Sequence, residues 1–287
     1  MATATPDAKT IVLVTGATRG IGFEVTKHLS TSLDKDYHII LCGRRVSSVE
    51  SAITILRTLP NLHASTTFEF LGLDLTSDTS TISAAAAAAQ IAAKHGHLDI
   101  LLHTAAISSS FLPTNVTDPR APERARENWH SILDTNVIGP ALLTDALLPL
   151  LSASPKPERK IIFVSSGLGS IPYTFSEGNS RSLDLENVTS KYTEYSASKA
   201  ALNMYAKHLA WRLENAEQGK RGGEKEKKKK EWKVNVVCPG YTSTKTGLSN
   251  PRGEQEPGEA AETVVRVVQE QGEKTGTFRD KEGEVPW

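Results

Sequence analysis

A short β-branched run, Ile11 to Val14, stops at Thr15-Gly16, and the next glycines are spaced Gly16-x-x-x-Gly20-x-Gly22 before an apolar pattern opens through Phe23, Val25, Leu29 and Leu33. That order predicts a strand, a glycine turn and then a helix. Residues without Cβ let a backbone approach a ligand closely, while the free N–H groups of the helix start point at it, a combination that suits a pyrophosphate. Tight βα turns also use glycine for steric reasons alone, so the turn acquires meaning only from the residues downstream of it.

The pattern repeats along the chain. Strands are expected at Tyr37 to Cys42, Thr67 to Leu71, Leu98 to His103, Lys160 to Ser165 and Lys233 to Cys238. Helical periodicity lies in between: the alanine run Ala84 to Ala89, Trp129 to Leu151 around Asn136, Ala197 to Asn215 and Glu259 to Gln271. Ile107 to Asn128 and the 28 residues between Ser166 and Tyr195 read as loops. Strands alternating with helices predict an α/β fold, a single doubly wound, Rossmann-type domain spanning residues 1–287 with a mostly parallel sheet flanked by helices. Loop insertions are expected at about 167–193 and 216–232. The second contains the lysine-rich run Lys220 to Lys230, which reads as a solvated connection, since Glu is interspersed and a helix and a strand flank it.

Several function classes are disfavoured by composition. The 33 basic and 33 acidic residues cancel, which gives no general attraction to nucleic acid or anionic membrane. Cys42 and Cys238 are the only cysteines, and no Cys/His spacing typical of a metal site occurs, so no metal is expected. The first residues lack a charged-then-apolar leader pattern, no run approaches about 18 uninterrupted apolar residues, and Val285-Pro286-Trp287 is no retrieval address. A cytoplasmic protein is the expectation.

Candidate chemistry sits at strand ends. Ser166 follows the fifth strand, and Tyr195 and Lys199 are four apart, hence about 6 Å along one helix face. A fixed ammonium favours a phenolate, so Tyr195 is a candidate general acid/base despite the ordinary phenol pKa of about 10. After the second strand, about 20 residues past the glycine turn, an NAD site would place an acid; here Gly43-Arg44-Arg45 stands instead, with Arg19 inside the turn. Guanidinium forks match a 2′-phosphate, which favours NADP over NAD. Solvated loop arginines are the competing explanation. Asp74, after the third strand, either hydrogen-bonds an adenine or starts a turn, and the small residues Thr104-Ala105-Ala106 would let backbone lie against a dinucleotide. His103 reads as a core histidine at a strand end.

Taken together, Thr15-Gly16-Ala17-Thr18-Arg19-Gly20-Ile21-Gly22, Asn136, Ser165-Ser166, Tyr195-x-x-x-Lys199 and Pro239-Gly240 resemble the short-chain dehydrogenase/reductase family over about Ile11 to Phe278. The arginine pair, the long Ser-to-Tyr insertion, Cys238-Pro239-Gly240 and the stretch Pro257 to Thr263 look most like NADPH-dependent carbonyl reductases. The resemblance implies NADPH-dependent reduction of a ketone or aldehyde. Tyr195 would donate the proton, Ser166 would hold the carbonyl oxygen, Lys199 would bind the nicotinamide ribose and lower the Tyr195 pKa, and Asn136 would hold a relay water. Gly16, Thr18, Arg19, Gly20, Ile21, Gly22, Arg44, Arg45, Asp74, Thr104, Ala105, Pro239, Gly240 and Thr244 would contact the cofactor. The family commonly has Asn-Asn-Ala-Gly after the fourth strand, where this chain has His103-Thr104-Ala105-Ala106, so altered packing is expected there. Phe111, Leu168, Tyr173, Phe175 and Tyr241 predict an apolar or aromatic substrate. The resemblance favours a monomer over a homo-oligomer. The competing functions are a catalytically inactive dinucleotide-binding regulator and a nucleic-acid-associated protein using the lysine run.

Overall fold

The computed structural model describes residues 9–76, 80–108, 120–175, 192–218, 231–242, 255–272 and 274–287. Seven strands form one sheet: β1 (Thr10–Thr15), β2 (Tyr37–Gly43), β3 (Thr67–Gly72), β4 (Ile100–His103), β5 (Glu158–Val164), β6 (Glu231–Val237) and β7 (Phe278–Arg279). They lie in the order β3-β2-β1-β4-β5-β6-β7, and each neighbouring pair is parallel. The doubly wound expectation is met, with the order reversing between β1 and β4.

Every strand but the short β7 feeds a helix or helical turn, because a parallel sheet buries both faces and needs a crossover to return the chain. The helices are α1 (Gly20–Ser30), α2 (Val46–Arg57), α3 (Ser80–His95), α4 (Ala121–Leu133), α5 (Gly139–Ala153), α6 (Ile171–Phe175), α7 (Thr193–Gln218) and α8 (Pro257–Gln269). Strand alternation divides the core in two. Leu13, Ile40, Leu101 and Ile161 face one layer with Ile91, Leu147 and Leu209 of α3, α5 and α7. Val12, Val14, Ile39 and Ile162 face the other with Leu29, Leu56 and Val264 of α1, α2 and α8. The helical stretch Ala121–Ala153 is long and apolar enough to cross a membrane by length and composition. Its Leu143, Leu147 and Leu151 are fully buried against the sheet, as a core helix requires.

Four expectations are corrected. The expected loop from Ile107 to Asn128 contains the start of α4, whose residues 121–128 are mostly charged or polar and bury no side chain fully, the one buried residue of the helix being Ile132. The helix expected over Trp129 to Leu151 is broken by a π turn at Asp134–Ile138. The expected Ser166-to-Tyr195 loop opens with a 3₁₀ turn at Gly167–Gly169 and α6. A seventh strand, β7, is two residues long and too short for any periodicity to reveal. Phe111, the lysine run and Thr244 lie outside the described residues.

The end of the sheet opposite the strand C-termini is fastened by Asp99, which is 1% exposed. Its carboxylate accepts the Ile11 N–H at 2.8 Å and the Ser154 hydroxyl. Asp99→Ala should strand both donors in the interior and lower the unfolding free energy by about 2–3 kcal/mol, read by urea denaturation. An unchanged midpoint would mean that the carboxylate does not fasten this end.

Candidate active site

The glycine turn packs tightly. Gly16 has φ +65°, in the left-handed region that side chains disfavour, and a Cβ built on it would lie 2.8 Å from the Ala105 Cα. A Cβ on Gly22 would come within 2.2 Å of Thr104 Oγ1 and 2.6 Å of the Gly16 carbonyl oxygen. The Thr104 hydroxyl donates to the Thr15 carbonyl oxygen, and Thr15 Oγ1 accepts the Thr104 N–H at 3.2 Å and the Ala105 N–H at 3.3 Å. Thr104 thus ties β4 to β1 at the position where the sequence departs from the family pattern. His103 is not among the residues that line the cavity described below. It is 2% exposed, stacks on Phe163 at 4.8 Å, and burial pushes its pKa down to about 3. The Thr144 hydroxyl donates to the Pro140 carbonyl at 2.7 Å, so at 2.9 Å it accepts from His103 Nε2, which fixes the proton on Nε2.

Above this junction, at the C-terminal ends of the strands, lies a cavity of about 490 Å³. Its floor includes Gly16, Thr18, Gly20, Ile21 and Gly22, and α1 starts there with no side chain capping its N–H groups. A glycine cradle with open helix N–H groups fits a dinucleotide pyrophosphate. Arg19 and Arg44 line the wall. Arg45 is not among the described lining residues; it precedes α2 as its N-cap. Asp74 lines the cavity, yet one of its oxygens takes the Thr76 N–H at 2.9 Å and hydroxyl at 2.8 Å, so it also closes its own turn. Thr104, Ala105, Pro239 and Gly240 line the wall as expected.

Ser166, Tyr195 and Lys199 converge at the same cavity. Ser166 caps the 3₁₀ turn, its Oγ accepting the Leu168 N–H at 3.2 Å. Tyr195, 7% exposed, stands in the first turns of α7. Burial raises its pKa, the nearby Cys238 adds to this, and a hydrogen bond with Ser166 opposes it. The expectation of a lowered Tyr195 pKa is therefore not met by the protein groups alone. Lys199, 1% exposed, donates to the Val164 carbonyl at 2.9 Å and holds its ammonium 5.6 Å from the Tyr195 ring centre. Burial pushes its pKa down to about 8.

Asn136 is bound on both sides of its amide. Oδ1 accepts the Ile107 N–H at 2.9 Å, and Nδ2 donates to the Ile107 carbonyl at 2.8 Å and to Ser198 Oγ at 3.0 Å. Ser198 in turn donates to the Tyr195 carbonyl at 2.7 Å. The sequence did not single out Ser198 or Asn203; the latter accepts from Ser165 at 2.6 Å and donates to the Gly169 carbonyl at 3.2 Å. Cys238 Sγ accepts the Gly167 N–H at 3.1 Å, behind the tyrosine. Only the spacing of Ser198 inside the Tyr195–Lys199 segment could have pointed to it.

Gly22→Ala should force the turn away from Thr104. Overpacking of this kind costs about 1–3 kcal/mol, and NADPH titration should show affinity falling about tenfold or more. Unaltered affinity would mean that the turn does not hold the phosphates.

Comparison with known proteins agrees with this geometry. The family model described as short chain dehydrogenase matches residues 10–178. The short-chain dehydrogenase anuI of Penicillium roqueforti is 30% identical over 262 residues, covering 91% of this chain and 89% of its own length. The (−)-isopiperitenone reductase of Mentha piperita is 29% identical, with 94% and 96% coverage. Among solved structures, the NADPH-bound carbonyl reductase from chicken fatty liver superposes with a TM-score of 0.72 at 23% identity, covering 97% of this chain and 94% of that one. The chain belongs to the short-chain dehydrogenase/reductase family of oxidoreductases, which bind nicotinamide dinucleotides.

Proposed function

We propose that the protein is an NADPH-dependent reductase of a ketone or aldehyde. The observation that carries this is the convergence of Tyr195, Ser166 and Lys199 on a cavity whose other wall is the glycine turn. The glycine turn would hold a dinucleotide whose chemistry is hydride transfer, and the Tyr195 and Ser166 hydroxyls take the substrate oxygen, where negative charge develops. A tyrosine whose pKa is raised by burial is protonated at neutral pH, as a proton donor must be. Lys199, with a pKa near 8, is still mainly an ammonium at pH 7 and stabilises the phenolate left behind. Asn136 acts as a positioning residue: through Ser198 it holds the start of α7, and with it Tyr195, against the loop at Ile107.

Arg19 and Arg44 supply charge for a 2′-phosphate, and the NADPH named for the chicken reductase supports this choice. The cavity beyond Tyr195 is bounded by Leu168, Tyr173 and Tyr241, which favours an apolar or aromatic carbonyl. The reductase named from Mentha piperita supports the reductive direction.

A carbonyl panel followed by NADPH absorbance tests the activity. Tyr195→Phe should lower kcat by about 10²–10⁴-fold while leaving NADPH affinity nearly unchanged. Full turnover in the variant would remove the proton-donor role, and a parent without turnover on any carbonyl would favour a binding-only protein. Cofactor choice has its own test. Arg44→Ala should raise the KM for NADPH about 10–100-fold relative to NADH, the value of a charge-assisted hydrogen bond, whereas Arg45→Ala should leave that ratio close to the parent's. Equal effects from the two variants would place the phosphate elsewhere.

A further inference from the structure

Away from the cavity, His38 on β2, Glu69 on β3 and His95 at the end of α3 come together at the sheet edge. Their ligand atoms all lie within 4.8 Å of one another, the one such group among the described residues. Both imidazole Nε2 atoms aim at a single carboxylate oxygen, Glu69 Oε2, at 3.1 Å from His38 and 2.9 Å from His95. The three side chains are 16%, 19% and 13% exposed, accessible to a solute yet shielded enough to be held in place. No spacing in the sequence announces them, because they come from three separate elements.

We propose that His38, Glu69 and His95 bind a first-row transition-metal dication, with Zn²⁺ as the expected ion. Two imidazoles and one carboxylate are the donor set of zinc and its neighbours; magnesium and calcium prefer oxygen alone. In a tetrahedral zinc site, ligand atoms about 2.0–2.2 Å from the ion are about 3.3–3.5 Å apart. The two histidine-to-Glu69 separations, 3.1 and 2.9 Å, lie a few tenths of an ångström inside that spacing, and all three ligand atoms fall within 4.8 Å of one another. His38 is also oriented from behind, its Nδ1 lying 2.8 Å from Thr67 Oγ1, the kind of second contact that fixes the ring of a ligating histidine. The Lys94 ammonium now sits 2.7 Å from Glu69 Oε2, but its side chain is 59% exposed and can swing into water when an ion takes its place. Three ligands leave the remaining positions to water, and the ion would bind β2, β3 and α3 together. Cys42, which lines the cavity, lies four residues further along β2, about 13 Å away. Metal binding and turnover are therefore separable.

The test uses the untagged full-length chain, stripped with a chelator and titrated with Co²⁺ and then Zn²⁺. One equivalent of Co²⁺ should bind with visible absorption bands, and Zn²⁺ should displace it and raise the thermal midpoint. Glu69→Gln and His95→Gln should each weaken binding about tenfold or more and abolish the thermal shift. Lys94→Met, which removes the competing ammonium without touching a ligand, should tighten it. Circular dichroism of each variant separates lost binding from lost folding, and Lys94→Met keeps the test alive if a ligand variant fails to fold. Absence of saturable binding by the parent, or equal binding by parent and Glu69→Gln, would overturn the site and leave the cluster a hydrogen-bonded ion pair.

Discussion

The contact of backbone with backbone where β1 and β4 end is the constraint on which the site depends. Gly16 lies so close to Ala105 that a single added carbon would collide with it, and the Thr104 hydroxyl closes the seam onto Thr15. Because strand order reverses at this seam, α1 leaves on one face and the chain beyond β4 on the other, opening a crevice between them. The ends of β5 and β6 deliver Ser166 and Pro239 to the same crevice. The cavity is thus a consequence of topology.

Burial then decides what the polar groups in that crevice can do. Taking an ammonium out of water is costly unless something accepts its hydrogens; for Lys199 the Val164 carbonyl does so. The same dry surroundings hold Tyr195 in its protonated form and push Lys199 toward neutrality. Asn136 contributes by saturating the Ile107 backbone, since an unpaired peptide group there would cost as much as a lost hydrogen bond. A single chain of contacts, Ile107 to Asn136 to Ser198 to Tyr195, links the exit of β4 to the helix that carries the tyrosine.

What could be read from the sequence was what neighbours along the chain determine. β-Branched runs marked β1, β2 and β5, the glycine spacing marked the turn, and the interval of four marked Tyr195 and Lys199 as partners. Features set across space were hidden. The first residues of α4, 121–128, bury no side chain fully, so nothing in them marked where that helix begins. Arg44 and Arg45 are adjacent in sequence, yet the turn into α2 leaves only the first on the cavity wall. The partner that makes His103 a core residue, Thr144, is 41 positions away. The interval of four also gave no sign of how deeply Tyr195 is buried, and that burial raises its pKa in the protein alone.

The π turn at Asp134–Ile138 has a consequence for the phase of the long helical stretch that contains it. One extra residue in a turn advances everything downstream by about 100°. The leucine face of α5, with Leu143 and Leu147 fully buried, is thus offset in phase from α4, and Asn136, inside the turn, bonds both backbone groups of Ile107. Core packing and placement of Asn136 share one defect in winding, so losing a residue here would be no simple shortening. It would rotate Leu143 and Leu147 off the sheet and withdraw the amide from β4 in the same movement.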